Sequence, residues 1–191
     1  MIRNQFSKTL MLLLVSSIFT TGYSYAQSLK INPRTSSMTI YGTTNVHDFK
    51  TKVEQIKGEL VVNNSKKVQS LTIEIPVRSI KSGEKLMDNK TYEAFKDGKY
   101  PTISFQLTDV ASLQITGDDI NVIVNGNLTM AGVTKRISFK TTGKNTKPGA
   151  YEFKGSIALK MTDFKMKPPT AMLGVMKVGD AITLKYDINL D

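Results

Sequence analysis

The chain holds one histidine, His47, and Asp48 follows it directly. A histidine beside a carboxylate could form an acid–base pair, and a serine-type triad would have to run through this residue. The run Thr44-Asn45-Val46-His47-Asp48-Phe49 argues against both. Adjacent residues on a strand point to opposite faces, so these two side chains would not meet. No Gly-x-Ser-x-Gly elbow supplies a nucleophile. Cysteine is absent, which removes thiol chemistry and cysteine-held metals. A metal site would rest on His47 and carboxylates, and no zinc-type or EF-hand spacing is present. The expectation is no catalysis, no metal and no cofactor, with His47 a polar residue at a turn or rim.

With no reactive constellation, the apolar residues carry the functional signal. Ile120, Val122, Val124, Leu128 and Met130 fall on one face of a strand, and Asn121, Asn125, Asn127 and Thr129 on the other. Tyr151, Phe153, Ile157, Leu159 and Met161 repeat the pattern, as do Ile182, Leu184, Tyr186, Ile188 and Leu190. An apolar sheet face of this size must be covered, by closing on itself or by a second sheet. The spacing predicts strands over 37–41, 54–62, 69–77, 102–108, 112–116, 119–130, 136–142, 152–161 and 181–190. Asn63-Asn64-Ser65, Gly117-Asp118 and Pro148-Gly149 are turn signals between them. Roughly eight or nine antiparallel strands joined this way predict an all-β barrel or sandwich.

Three features interrupt the alternation. Residues 82–96 carry Leu86, Tyr92 and Phe95 among helix formers and stop at Asp97-Gly98, which predicts a short helix. It would either cap an open barrel end or cover core as a crossover. Gly126 and Gly155 stand at inward positions, where glycine leaves volume unfilled or lets the strand bend. Met161, Met166, Met172 and Met176 concentrate in an apolar loop, either as an adaptable lip at a barrel mouth or folded back over core.

The first 26 residues read as a secretory leader: Arg3 and Lys8, an apolar run from Leu10 to Phe19, then Ser24-Tyr25-Ala26. That run is shorter than the roughly 20 residues a bilayer span needs. The expectation is export, to the periplasm, of a single domain over residues 27–191. Without Arg3 and Lys8 the chain keeps 24 Lys+Arg against 16 Asp+Glu. Export makes nucleic acid an unsuitable partner. The lysines are scattered along strands, which suits a solvated outer face, and attraction to an anionic membrane surface is the other reading.

Several short motifs in order resemble the YceI family. They are residues 42–49, Ser79-Ile80-Lys81-Ser82-Gly83 with Met87-Asp88, and Tyr100-Pro101-Thr102-Ile103-Ser104-Phe105. The hairpin of residues 126–135, Thr162-Asp163-Phe164 and Val178-Gly179-Asp180-Ala181-Ile182 follow. The resemblance implies an exported lipocalin-like protein: an antiparallel eight-stranded β-barrel with a helical insert, holding an isoprenoid-like lipid such as an isoprenoid quinone or a polyprenyl phosphate. On that reading the tail would contact Phe105, Val122, Val124, Phe153, Ile157 and Leu184, with Tyr92, Phe95 and Phe164 near the mouth. A headgroup would meet His47, Asp88, Lys90 or Asp163. The sequence departs from the family pattern at Asn89-Lys90-Thr91-Tyr92 and at Pro168-Pro169, both near the expected mouth. Two rival readings are a fully packed barrel with a structural, interaction or stress-response role, and a small enzyme built on His47. Oligomeric state has no signature in the sequence.

Overall fold

The computed structural model describes residues 27–63 and 67–191. The leader expected over residues 1–26, and Asn64 and Ser65 of one predicted turn, lie outside them. The strands are β1 (Gln27–Lys30), β2 (Ser37–Thr44), β3 (Asp48–Val53), β4 (Lys57–Val62), β5 (Val68–Pro76) and β6 (Ile80–Lys81). After helix α1 (Lys85–Phe95) come β7 (Thr102–Thr116), β8 (Asp119–Met130), β9 (Val133–Lys147), β10 (Ala150–Lys160), β11 (Thr170–Ala171) and β12 (Met176–Leu190). All but β11 form one antiparallel sheet in the order β1-β4-β5-β7-β8-β9-β10-β12-β2-β3-β6. The sheet curls around its apolar face as a lipocalin-like barrel wall. At one end β1 reaches back to β12 through an Ile31–Leu190 bridge and paired backbone bonds between Lys30 and Asp191 at 2.9 and 3.0 Å.

The architecture matches the expectation, with corrections in strand count and bounds. Nine strands of six or more residues build the wall instead of eight, and three shorter ones trim its edges. The predicted strands at 102–108 and 112–116 are one strand, β7. Its pairing with β8 slips by one residue between Leu107 and Asp109 and again between Val110 and Ser112. Each bulge advances the phase by one residue, so the inward side chains run Leu107, Val110, Leu113 at intervals of three. A strict period of two breaks there and hides the continuity. The segment 54–62 starts later, because Asp48–Val53 is a separate strand returning on β2.

The inward glycines also read differently. A Cβ on Gly126 would collide with the Phe105 ring and stand 2.7 Å from the Gln106 carbonyl oxygen. A Cβ on Gly155 would meet the Tyr186 ring and hydroxyl, and Gly143 stands under Phe153 in the same way. These glycines leave no void. They let an aromatic ring from the adjoining strand lie flat on the backbone, as cross-strand aromatic–glycine pairs do in curved sheets. The β8–β9 hairpin turns on Ala131 and Gly132 with φ of 49° and 78°. Two positive φ values are the signature of a tight turn whose twist suits the flanking strands.

Helix α1 carries no side-chain cap at Glu84. Asp88 supplies the anchoring instead. Its Oδ1 accepts from the Ser82 amide and hydroxyl, both at 2.7 Å. The helix ends where Lys96 turns left-handed at φ 54°, one residue before the predicted stop.

Candidate functional site

Inside the curl lies an apolar cavity of about 200 Å³. By the measure of about 15 Å³ per water, that is room for a dozen or so water-sized positions. It runs from Met130 at one end of β8 to Ile120 at the other. Ten residues of strand span about 34 Å along the chain. Among its lining residues only Thr141 and Tyr186 carry a polar side-chain atom, and neither turns it to the cavity. Thr141 donates its hydroxyl to the Lys154 carbonyl at 3.0 Å. Tyr186 stands opposite Gly155, which in turn stands opposite Thr141, so its ring crosses the glycine and its hydroxyl is buried beside Thr141. That hydroxyl finds no partner at hydrogen-bonding geometry, although Thr141 lies close enough to hold its pKa down; burial outweighs this and pushes the pKa above the usual 10.0.

A second space of about 180 Å³ adjoins the first. Ile40, Ile80, Phe95, Met130 and Ile182 line both, so they form the neck between them. This vestibule is walled by α1, the β2–β3 turn and the segment from Met161 to Val178. Its polar side chains are Thr44, His47, Thr51, Glu84, Lys90, Thr91 and Thr170. Together the two spaces come within the roughly 300–1,000 Å³ usual for ligand pockets.

The structure brings most of the sequence-selected residues to these spaces. Phe105, Val122, Val124, Phe153, Ile157 and Leu184 all line the interior, and Phe95 stands at the neck. His47 and Lys90 line the vestibule. His47 sits in an exposed turn, where its Nδ1 donates to the Asp48 carbonyl at 2.9 Å. Lys90 pairs with Glu93 at 2.8 Å. Four selected residues stand outside both linings. Tyr92 ties α1 to the wall: its hydroxyl accepts from Lys81 Nζ at 2.7 Å and lies 3.2 Å from the Arg78 carbonyl, to which it donates. Asp88 is turned toward Ser82 and Lys81, away from the mouth. Phe164 is 1 % exposed within the core, and Asp163 faces solvent from a 3-10 turn over Met161–Phe164. Helical period explains two of these misplacements, since Tyr92 and Asp88 lie on the α1 face that meets the wall.

The methionine-rich segment combines its two readings. Met161 and Met166 are buried and floor the vestibule, while Met176 lines it from β12. Sequence reasoning missed Phe49, Leu86, Met87 and Val178 as lining residues. For Phe49 a signal existed: its ring lies on Gly42, directly opposite in the β2–β3 pairing. Asn45 fastens the lip, donating from Nδ2 to the Val175 carbonyl at 2.9 Å and accepting from the Lys177 amide at 2.8 Å. Among the described residues no group of three His, Asp or Glu side chains could hold a metal ion.

A sheet curled around an apolar cavity, with one helix beside its mouth, has known counterparts. Residues 29–190 match the YceI-like domain. The chain belongs to the YceI family. A UPF0312 protein of Pseudomonas paraeruginosa is 40 % identical over 75 residues, a stretch that spans 37 % of each chain. Among solved structures, BcnA of Burkholderia cenocepacia superposes with a TM-score of 0.67 at 19 % identity, covering 83 % of this chain and 98 % of that one. A polyisoprenoid binding domain from Saccharophagus degradans gives 0.69 at 13 % identity, covering 85 % and 97 %. The YceI protein of Campylobacter jejuni gives 0.55 at 21 % identity, covering 73 % and 82 %. At these identities the superpositions speak to the fold.

Proposed function

We propose that this YceI-family protein is an exported, periplasmic lipid carrier that takes an isoprenoid-like chain into its barrel. The observation that carries this reading is the interior cavity, apolar along its length, with a mixed-polarity vestibule set against it across five shared side chains. A wall without exposed polar atoms offers a hydrocarbon chain no penalty, and each buried CH₂ stabilises by about 0.8 kcal/mol. A phosphate or other anion inside would meet no donor and would cost far more than the chain gains. The charged end of an amphiphile therefore belongs in the vestibule, beside Lys90, His47 and the threonines. The S. degradans neighbour, described as polyisoprenoid-binding, favours a branched isoprenoid chain.

The test is native mass spectrometry of the protein from its own host, followed by organic extraction and lipid mass analysis. A stoichiometric isoprenoid adduct is the expected result. Ile157→Trp, which fills the cavity from a half-buried wall position, should weaken uptake about tenfold or more at a stability cost of about 1–3 kcal/mol, so uptake is measured on protein that circular dichroism shows to be folded. A lipid-free mass that stays unchanged after incubation with isoprenoid quinones and polyprenyl phosphates would sink the carrier reading in favour of an interaction or stress-response role.

A further inference from the structure

The most exposed large hydrophobic side chains of the described residues are not spread over the surface. Leu173 is fully exposed, Val175 is 69 %, Val46 63 % and Leu86 59 % exposed. All four rim the vestibule. Leu86 lines it directly from the first turn of α1. Val46 stands in the β2–β3 turn between the lining residues Thr44 and His47. Leu173 and Val175 cap the β11–β12 connection, whose flanks Ala171 and Met176 also line it. The bonds from Asn45 to Val175 and Lys177 hold two of these segments together. Leu173 is moreover held at φ 57°, a conformation uncommon for a leucine.

Charge decides what this collar faces. Exposed Lys85, Lys165, Lys167 and Lys177 flank it, and none of them takes part in an ion pair. Glu84, Asp48, Asp163 and Asp180 are the acidic residues nearby; Asp180 is engaged by the Thr162 amide and hydroxyl, Asp88 by Ser82, and Lys90 is already matched by Glu93. At the opposite end of the barrel Leu113, Ile115 and Ile123 protrude less, at 44, 55 and 37 %, and Lys140, Lys144 and Lys147 stand there with Asp118 and Asp119, so that end serves as the comparison in the test below. Protruding apolar side chains ringed by free lysines are what an anionic bilayer surface takes: the apolar tips enter the headgroup zone and the ammonium groups meet lipid phosphates.

We propose that the vestibule rim, Val46, Leu86, Leu173 and Val175 with the lysines around them, docks the barrel mouth-down on an anionic membrane, so that a lipid chain passes between bilayer and barrel without crossing water. This rests on the carrier reading for its purpose, while the docking itself can be measured alone. It orients the molecule: the neck residues face the bilayer and the β7–β8 hairpin points away. Charge attraction also implies that docking weakens with salt, because exposed charges are screened beyond about 10 Å at 0.1 M and about 3 Å at 1 M ionic strength.

The experiment is co-sedimentation with vesicles of phosphatidylglycerol and phosphatidylethanolamine, compared with phosphatidylcholine vesicles. It uses protein lacking residues 1–26, since the whole described sheet lies after them. Wild type should partition onto the anionic vesicles, less so in high salt and less onto phosphatidylcholine. The double variant L173D/V175D, at positions too exposed to disturb folding, should lower the partition more than tenfold. K167E/K177E should lower it and flatten its salt dependence. I115D/I123D, at the far end, should bind as wild type. No sedimentation of wild type, unchanged binding of L173D/V175D, or an equal loss in I115D/I123D would each overturn the proposal. Delivering an isoprenoid quinone from detergent separates the two ideas. Normal loading of L173D/V175D from detergent, with slow loading from vesicles, supports docking. Failure of every form to load from detergent, with vesicle binding intact, overturns the carrier reading and leaves docking standing.

Discussion

The barrel interior and its vestibule adjoin at five shared side chains, yet they are built by different means. The interior is walled by long paired strands, with bulges at β7 and at the start of β10, and its aromatics lie on glycines of neighbouring strands. Phe105, Phe139 and Tyr186 then meet edge to face at centroid distances of 5.6 and 6.4 Å. The vestibule is assembled from a turn, a helix and a loop, fixed by single hydrogen bonds such as those of Asn45. On the proposed carrier reading, the interior sets how much hydrocarbon is taken up and the vestibule sets what stands at its end. Changes to the interior should act on stability first. Changes to the vestibule should act on exchange and leave the fold in place.

The sharpest way to break that contrast is Gly126→Val. The new side chain must displace the Phe105 ring, and it meets the Gln106 carbonyl oxygen 2.7 Å from its Cβ, which cannot yield without opening the β7–β8 ladder. Overpacking of this kind costs roughly 1–3 kcal/mol, and the value here should lie at the upper end. Urea denaturation measures it. A cost below about 1 kcal/mol would mean that Phe105 can leave its glycine freely, and that the interior is as adaptable as the vestibule.

The two regions also differ in how far the sequence revealed them. Alternation at Ile120–Met130 and Ile182–Leu190 was enough to place the interior, because a period of two is dictated by the pleat itself. It failed in β7, where two bulges put Leu107, Val110 and Leu113 three residues apart. The family motifs proved to mark joints of the fold. Ser82 bonds Asp88, Tyr100 lies on Gly132, and the Thr162 amide and hydroxyl donate to Asp180 at 2.8 and 2.7 Å. Such joints identify a fold strongly and a ligand weakly. The vestibule was only half legible for the same reason. Its walls come from segments distant in sequence, so His47 and Lys90 could be placed near a mouth, while Asp88 and Tyr92 were misassigned because helix phase relative to the wall is a tertiary property.

On the vestibule side the matching test is Asn45→Ala. It removes both side-chain bonds between the β2–β3 turn and the Val175–Lys177 segment and leaves the backbone bond from the Asn45 amide to the Lys177 carbonyl at 3.1 Å. A hydrogen bond at an exposed site contributes about 0.5–1.5 kcal/mol net, so global stability should fall by about 1 kcal/mol. Amide hydrogen exchange should quicken in residues 170–177 and stay unchanged in β8 and β9. Exchange that quickens across the whole sheet would show the lip to be part of the cooperative core, and the division between the two regions would disappear.

The smallest expected effect at neutral pH probes Tyr186, one of the two polar side chains in the interior lining. Tyr186→Phe deletes a buried hydroxyl whose polar neighbour Thr141 already donates to the Lys154 carbonyl, so at pH 7 it should be neutral or stabilising by up to about 1 kcal/mol. Its consequence grows with alkalinity. Burial raises the Tyr186 pKa in the folded protein above the ordinary 10.0, so the folded state holds this proton more tightly than the unfolded chain does. The stability linked to it is present in full below the unfolded pKa and is lost as pH rises through the folded one. Wild type should therefore lose stability above pH 10 faster than Tyr186→Phe, and the difference between the two cancels the contribution of the remaining tyrosines. If the variant is instead weaker than wild type at pH 7, the hydroxyl has a partner, such as an ordered water shared with Thr141. The interior would then contain a polar foothold of its own, and the contrast with the vestibule would be one of degree.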